Sequence, residues 1–388
     1  MKTTTDPRRS AGRRRPVLIA VLTATAIATG GVIAADLGPN GAATPLNTAA
    51  AAAPLALKGP WRASAVPFAH GDLTAVAGLD SRRVWAIGHR LSGLSTGEPV
   101  ALRWNGTSWT EESRLPAGNW PQSLAVRAED DIWAVGAGTA HWNGTTWTNR
   151  ALAADPAGRV VPDAVATAPD GAAWVVGRAG VGGVKNSGPA IQRWNGTAWE
   201  RHALPATGPG ELTALAVVAA DDIWAVGSSY ATADGTQSSL VLHWDGTSWK
   251  RVATPVAAGE HRWFGGVTVT PSGEVWAVGG AVATDGTERP YTARWNGRVW
   301  TEPSTPRVAD GRLRAVVRTA DGALWAGGGK ASAPVLLRWD GADRRWERAA
   351  APDLVIRSIA GVPGSRSLWT VGIATTGDMV PVAARLPR

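Results

Sequence analysis

A six-residue pattern recurs along this chain and limits its fold more than any other feature. The letters DIWAVG stand at 131–136 and again at 222–227, with near-copies RVWAIG at 83–88 and EVWAVG at 274–279. Seven times a tryptophan precedes a glycine by three residues, and successive copies lie 41 to 52 residues apart. Repeats of this length indicate the blades of a β-propeller. The repeated tryptophans are Trp85, Trp133, Trp174, Trp224, Trp276, Trp325 and Trp369.

Each period contains four short strand-like runs. In the fourth period these are LTALAVV at 212–218, IWAVGSS at 223–229, SLVLHW at 239–244 and WKRVATP at 249–255. The last two are joined by Asp-Gly, and the equivalent turns elsewhere read Asn-Gly-Thr between two tryptophans, as in WNGTSW at 104–109. Asn-Gly and Asp-Gly accept the positive φ of tight hairpins, so we expect turns here and not glycosylation sites.

The two ends of the chain complete one repeat. The seventh copy stops at Arg388 without a fourth strand, and PWRASAVP at 60–67 resembles SWKRVATP at 248–255. Trp61 then supplies the missing outer tryptophan. The sequence therefore predicts an all-β, seven-bladed propeller closed by an N-terminal strand that pairs with the last blade. Large aromatic side chains between its sheets would account for 22 Trp beside only two Tyr and two Phe.

The N-terminal segment differs from the repeats. Residues 1–16 carry five of the eight net positive charges, and an apolar stretch with small residues follows at 17–35. This pattern predicts a signal peptide over 1–35, with a retained membrane anchor as the alternative. Residues 36–57 are rich in Ala, Pro, Gly and Thr and indicate a flexible linker before the propeller at 58–388. We expect the body outside the cytoplasm, either secreted or anchored on the outer face.

Charge and cysteine content exclude several classes of function. The chain beyond residue 16 has a net charge of only +3 out of the total of +8, which does not suit nucleic-acid binding. There is no cysteine, and no clustered metal-ligand motif is visible. We therefore expect no metal, no cofactor and no nucleic-acid partner, and a monomer.

The strand and turn pattern resembles kelch repeats and galactose-oxidase-type propellers. RWDGADRRWERAAAP at 338–352 has the aromatic-Asp-turn-Trp spacing of a kelch blade, and double glycines occur at Gly279–Gly280 and Gly328–Gly329. The resemblance covers residues 60–388 and is nearest to the secreted propellers of actinomycetes. It implies no active-site residues, because the copper site of galactose oxidases uses a cysteine-linked tyrosine and this chain has no cysteine.

The binding candidates are expected on one face of the ring. Trp120 and Trp263 are assigned to loops that lead from one blade to the next, and the short stretch 137–140 would leave a notch beside Trp120 that suits a sugar ring or a peptide. Asp163 and Gln122 are expected near the mouth of the central channel. The same face should gather His70, His89, His261, Tyr230, Arg314 and Arg357.

Three further patterns have simpler explanations than chemistry. GLSTG at 93–97 matches a nucleophile motif but follows a strand without the strand-to-helix turn that the motif needs. Asp234 and Asp285 are expected in tight turns. The residue before each third-strand tryptophan position is basic, which predicts an ion pair or a cation–π contact. These residues are His141, His243, Arg103, Arg193, Arg294, Arg338 and Arg385.

A propeller fold by itself does not give a function. The first hypothesis is a secreted, non-catalytic module that recognises carbohydrate or protein. The second is an extracellular enzyme, either a lyase resembling the streptogramin type, for which His261, Glu260 and His70 would hold a metal, or a glycoside hydrolase of sialidase type using Arg314 and Arg357. The third is a structural platform tethered to the envelope.

Overall fold

The computed structural model describes residues 56–57, 59–91, 97–116, 118–230, 235–308, 311–330, 333–375 and 379–387. These residues form seven four-stranded antiparallel sheets, which are the blades of a propeller, and one short 3₁₀ helix at Val184–Asn186. The prediction of an all-β, seven-bladed propeller is confirmed. Residues 1–35, most of the linker at 36–57, the GLST stretch at 93–96 and Asp234 lie outside the described part of the chain.

Each sheet has the same order of strands. The first strands are β2 (Gly71–Asp80), β6 (Pro121–Ala128), β10 (Arg159–Thr167), β14 (Gly210–Ala219), β18 (His261–Val269), β22 (Leu313–Arg318) and β26 (Leu354–Gly361). The second strands are β3 (Arg83–Arg90), β7 (Asp131–Gly136), β11 (Ala173–Gly180), β15 (Asp222–Ser229), β19 (Val275–Val282), β23 (Leu324–Lys330) and β27 (Leu368–Ala374). The third strands are β4 (Glu98–Trp104), β8 (Thr139–Trp142), β12 (Ser187–Trp194), β16 (Ser238–Trp244), β20 (Glu288–Trp295), β24 (Ala333–Asp340) and β28 (Pro381–Leu386). The fourth strands are β5 (Trp109–Glu111), β9 (Trp147–Asn149), β13 (Trp199–Arg201), β17 (Trp249–Arg251), β21 (Trp300–Thr301), β25 (Arg345–Arg348) and β1 (Arg62–Ser64).

The blades form a ring around an axis. First strands of neighbouring blades contact one another all the way round, including β26 of blade 7 with β2 of blade 1, so these strands form the inner wall. Strand β1 pairs antiparallel with β28, with Arg62 opposite Arg385 and Ser64 opposite Ala383. The seventh sheet thus contains strands from both ends of the described chain.

Trp61, the residue just before β1, packs this outer strand of blade 7 against the neighbouring blade. Its side chain is 4% exposed, and its indole N–H donates to the carbonyl oxygen of Ala350 at 2.7 Å. It packs in a cluster with Trp325 of blade 6 and with Leu386 of the last strand. This short strand is therefore held both by its pairing with β28 and by the burial of Trp61.

The hydrophobic core is divided into seven parts, one between each pair of neighbouring blades. Tryptophans from second, third and fourth strands meet there. Trp133 of blade 2, for example, lies 5.3 Å from Trp194 and 5.1 Å from Trp199 of blade 3, measured between ring centroids. Each buried tryptophan removes about 150–250 Å² from water, a gross driving force of roughly 4–6 kcal/mol. With no disulfide in the chain, this burial dominates the stabilisation of the ring.

The basic residue that recurs before the third-strand tryptophan position contacts the second-strand tryptophan in every blade. The two residues are cross-strand partners, such as Trp85 and Arg103. Arg103 lies 5.5 Å from the centroid of Trp85, and His243 stacks on Trp224 at 4.2 Å. The predicted cation–π contact is thus confirmed for the five arginines, whereas the two histidines make ring–ring contacts. The other pairs are His141 on Trp133, Arg193 on Trp174, Arg294 on Trp276, Arg338 on Trp325 and Arg385 on Trp369.

The Asn-Gly-Thr segments are hairpin turns, as the sequence predicts. The Asn105 side-chain oxygen accepts hydrogen bonds from the backbone N–H groups of Thr107 and Ser108, and Gly106 has φ of 106°. Asn143, Asn195 and Asp245 make the same bonds in their own blades. Asp285 accepts from the N–H of Thr287 in a tight turn of blade 5. A side chain that closes its own turn in this way explains the motif without a glycan.

The repeated glycine of each second strand lies opposite a β-bulge. In blade 1, Gly88 pairs with Leu73, and the register then shifts so that Thr74 is left without a partner. The same shift occurs opposite the repeated glycine in all seven blades. A Cβ at any of these glycines would lie well under 3.0 Å from a carbonyl oxygen in the first strand or in the residue just before it. The glycine therefore recurs because the bulge brings the neighbouring backbone against its Cα.

Candidate binding site at the axial mouth

The bulges define two recurring residue positions on the inner wall of the ring, each occupied once in every blade. The first is the bulge position, the unpaired residue itself, occupied by Thr74, Gln122, Asp163, Thr213, Gly265, Arg314 and Arg357. The second is the pre-bulge position, two residues earlier, occupied by Asp72, Trp120, Val161, Glu211, Trp263, Arg312 and Val355. The backbone frame is the same in every blade whereas the side chains differ. A constant frame with varied polar side chains is the arrangement that a binding site on a propeller requires.

Trp120 and Trp263 occupy the same position in two different blades. Trp120 lies immediately before β6, and its ring centroid is 4.3 Å from that of His89 in the neighbouring blade. The prediction that Trp263 lies in a connecting loop is wrong: it is inside β18, paired with Gly280, because this first strand begins early at His261. Its ring lies over the Cα of Gly280, where no side chain interferes. Both tryptophans are half-buried.

The short connection beside Trp120 is not peculiar to blade 2. Strand β7 ends at Gly136 and β8 begins at Thr139, but in blade 6 β23 ends at Lys330 and β24 begins at Ala333. Part of the Trp120 ring also packs against the ring of His89. The notch alone therefore does not single out this tryptophan as a ligand platform.

His89 belongs to a polar chain that runs between blades 7, 1 and 2. Its Nδ1 lies 3.1 Å from Asp72 Oδ1, and the other carboxylate oxygen of Asp72 lies 3.9 Å from Arg357 Nη2. His89 is 8% exposed, and its Nε2 has no hydrogen-bond partner within the described part of the chain. Asp72 thus orients His89 and partly neutralises Arg357.

Three arginines from blades 6 and 7 form what we call the arginine pole: Arg312, Arg314 and Arg357. Burial, and then the positive charges of Arg312 and Arg357, lower the pKa of Arg314 to about 10, while the charge of Glu288 opposes the shift. Glu288 lies 3.9 Å from Arg312 but is shared with Lys330 at 3.3 Å. Among the described residues, no carboxylate lies within ion-pair distance of Arg314. The arginine pole therefore has an excess of positive charge.

Across the mouth, blades 3 and 4 supply what we call the acidic pole: Asp163 and Glu211, which share Arg178. Arg178 Nη1 lies 3.3 Å from Glu211 and 3.8 Å from Asp163. Burial raises the pKa of Asp163 to about 7, and the negative charge of Glu211 contributes, whereas Arg178 opposes the shift. Burial also raises the pKa of Glu211. Although 22% of the Asp163 side chain is reachable by water, close protein walls solvate its charge poorly.

The remaining predicted residues lie on the same end of the ring but are engaged in structure. Tyr230 carries Lys185 over its ring at 5.1 Å, and burial followed by the charge of Glu211 raises its pKa to about 12. His261 accepts the N–H of Gln237 at 3.0 Å through Nδ1. The carbonyl of His70 accepts from the Leu91 N–H at 2.9 Å. Gln122 is exposed at its bulge position.

The proposed metal set of His261, Glu260 and His70 does not fit this arrangement. Glu260 is held by two guanidinium groups, at 2.6 Å from Arg262 and 2.7 Å from Arg289, so its oxygens are already used. Within the described ranges, three potential metal ligands come close together only at Asp340, Asp343 and Glu347. Arg345 forms ion pairs with Asp343 and Glu347. Its guanidinium therefore already compensates part of the negative charge of this cluster.

Sequence reasoning found four members of the two poles and their surroundings, Asp163, Arg314, Arg357 and His89, but missed Asp72, Arg178, Glu211 and Arg312. A signal for them exists in the repeat itself. Asp72, Glu211 and Arg312 occupy the pre-bulge position that Trp120 and Trp263 also occupy, and Arg178, like His89, directly follows a repeated glycine. An alignment of the seven repeats on that glycine would have shown all of them.

Comparisons with known proteins support the fold. Neither a family model nor a curated protein matches the sequence. The structure is similar to YCF48 bound to D1 peptide (TM-score 0.54, 15% identity, covering 86% of this chain and 99% of that one) and to virginiamycin B lyase from Staphylococcus aureus (0.57, 13%, 81% and 94%). It is also similar to PorZ of Porphyromonas gingivalis, an essential surface component of the type-IX secretion system (0.55, 14%, 80% and 46%).

These similar proteins range from a peptide complex to an enzyme, and 645 solved chains match. At 13–15% identity such likeness shows the propeller fold and no more. The kelch and actinomycete resemblance stays a prediction. In the part of the chain that the structure covers, no helix is long and apolar enough to cross a membrane.

Proposed function

We propose that this chain is an exported, non-catalytic binding protein that holds an extracytoplasmic protein segment at the axial mouth through a carboxylate on the arginine pole. The observation that carries the proposal is Arg314. It is half-buried beside Arg312 and Arg357, and among the described residues it has no ion pair, although the charge of Glu288 acts on it from a distance. A desolvated guanidinium without a partner costs free energy, and a carboxylate ligand would recover it through charge-assisted, bidentate hydrogen bonds.

Protein is favoured over carbohydrate as the partner for two reasons. A neutral sugar would not compensate the arginine pole, and both tryptophans that suit sugar stacking already use part of their surface on His89 or Gly280. YCF48 bound to D1 peptide and the secretion component PorZ share this fold, which makes a peptide or protein ligand compatible with it.

The positively charged N-terminus followed by an apolar stretch supports export, and N-terminal sequencing of the mature protein distinguishes release from a membrane tether.

The test uses two blocked peptides that differ by one carboxylate. Acetyl-Gly-Ser-Glu-Ser-Gly-amide and its Gln counterpart are titrated into the protein by calorimetry. We expect the Glu peptide to bind at least about tenfold more tightly than the Gln peptide, and binding to weaken as salt is added. Arg314→Met should abolish this preference. Arg348→Met is the matched control, because Arg348 is exposed on an outer strand.

A glycan panel supplies the contrary outcome. Saturable binding of a neutral glycan that is lost in Trp120→Ala but unchanged in Arg314→Met would contradict the proposal and favour carbohydrate recognition. Equal affinity for the Glu and Gln peptides would contradict it as well. Turnover of any glycan in the panel would favour the enzyme hypothesis instead.

A further inference from the structure

The two poles lie on opposite sides of the mouth. In a closed ring of seven blades, blade 3 is three blades away from both blade 6 and blade 7. Asp163, Arg314 and Arg357 all occupy the bulge position, so they lie at the same level of the inner wall. Asp163 therefore lies across the ring from Arg314 and Arg357.

Neither pole has a full set of hydrogen-bond partners in its own surroundings. At the acidic pole, two carboxylates share one guanidinium, and the nearer of the two to Arg178 is Glu211, which leaves Asp163 Oδ2 without a hydrogen-bond partner in the described chain. The exposed Lys185 lies over the ring of Tyr230 and forms no ion pair with either carboxylate among the described residues. At the arginine pole, the Nε atoms of Arg312, Arg314 and Arg357 likewise have no hydrogen-bond partner among the described residues.

We infer that the mouth binds a zwitterionic peptide segment, with its carboxylate at the arginine pole and its ammonium group at the acidic pole. This inference rests on the proposed function and adds the second charge and its direction. An ammonium group donates up to three hydrogen bonds and is attracted by the excess of carboxylates on Arg178. A ligand that carries both charges compensates both poles at once, which a simple anion cannot do.

The length of the ligand follows from the fixed backbone of the ring. Both poles are carried by inner-wall strands of a closed ring, so the distance between them is set by the backbone and not by a loop. A bound segment must therefore match one separation between its positive and negative groups. An extended peptide spans about 3.3–3.6 Å per residue, so the best length reports the distance between the poles.

The test uses unblocked alanine peptides of one to four residues, together with N-acetylated, C-amidated and doubly blocked forms of each, titrated by calorimetry into the full chain. We expect one length to bind best in the unblocked form, and each single block to weaken it by about tenfold or more. In Asp163→Asn the effect of acetylation should disappear while that of amidation remains. In Arg314→Met the reverse should hold.

Two control variants change the same charges elsewhere. Asp130→Asn and Arg348→Met affect exposed residues away from the mouth, and both should behave as the parent protein. Circular dichroism confirms folding of each variant, and Glu211→Gln provides a second variant of the acidic pole if Asp163→Asn is unstable.

The possible results separate this inference from the proposed function. If the blocked Glu peptide binds but no alanine peptide gains affinity from its free ammonium group, the zwitterion inference is wrong and the carboxylate site stands. If acetylation matters equally in the parent protein and in Asp163→Asn, the ammonium group does not lie at the acidic pole. If neither peptide set binds at millimolar concentration, both proposals fail.

Discussion

At the scale of single residues, the repeated glycine of the second strand is the position that most constrains the backbone of each blade. The glycine that follows each second-strand tryptophan by three residues lies against a carbonyl in the first strand, or in the residue just before it, in all seven blades. Its φ is not positive in any of them, so the requirement is space and not backbone conformation. The same bulge that demands the glycine leaves one residue of the first strand unpaired on the inner wall, and in blades 1 and 4 its hydroxyl donates to the first strand of the next blade. A structural constraint and the candidate site thus have a common origin.

Gly136→Ala tests this constraint. The added Cβ would lie well under 3.0 Å from the Trp120 carbonyl oxygen, so β6 and β7 must separate. We expect the free energy of unfolding to fall by about 2 kcal/mol or more. Gly138→Ala is the control, because nothing lies within 4 Å of a Cβ there, and it should change stability by less than about 0.5 kcal/mol. Equal effects of the two substitutions in denaturant unfolding would show that the close approach is unimportant.

The carboxyl of Asp163 predicts a pH dependence of stability. Burial, then Glu211, raises its pKa from 3.8 to about 7, with Arg178 opposing. The folded chain keeps this proton where the unfolded chain has lost it, so this group's contribution to stability is present below pH 4 and is lost as pH rises toward 7.

Asp163→Asn removes that dependence. We expect the variant to gain stability relative to the parent as pH rises from 4 to 7, reaching about 1 kcal/mol or more at pH 8. Chemical denaturation at several pH values measures the difference, and other titrating groups cancel because they are common to both proteins. A constant difference across this range would mean that Asp163 ionises normally in the folded protein.

At the scale of strands, periodicity and turn chemistry were sufficient to find almost every element. The four runs of blade 4 predicted at 212–218, 223–229, 239–244 and 249–255 correspond to β14, β15, β16 and β17, although β17 ends already at Arg251. The misassignment of Trp263 shows the limit. Nothing local distinguishes GEHRWFGG as strand, and only its pairing with the strand that contains Gly280 makes it one.

At the scale of the whole molecule, the ring has one joint that is not covalently continuous. Strand β1 reaches the last sheet through space, and it contributes only Arg62–Ser64 to the pairing. Closure also removes the free sheet edge that β28 would otherwise present. The stability of the molecule therefore depends on how firmly this short strand is held.

Trp61→Ala should weaken the joint. We expect a loss of about 3–5 kcal/mol from the cavity, together with loss of the hydrogen bond to Ala350, and a lower melting temperature. Trp109→Ala is a matched control, since Trp109 is equally buried on the fourth strand of blade 1 but is tied to its blade by a hairpin. Limited proteolysis should release the N-terminal segment only in Trp61→Ala. An unchanged melting temperature and the same digestion pattern in both variants would count against this role.

The sequence by itself determined the number of blades, the order of strands within each, the turns and the basic residue on each repeated tryptophan. These features depend on contacts within one repeat or between similar neighbouring repeats. Each repeat therefore carries its own copy of the signal in its local sequence. Only the tertiary structure decided which charged groups meet. Asp163 and Arg314 hold the same position in two repeats, but nothing in either repeat shows that the two blades lie on opposite sides of the ring. They face each other because a bulge in each first strand and the closing of seven blades place them at one level of the same ring.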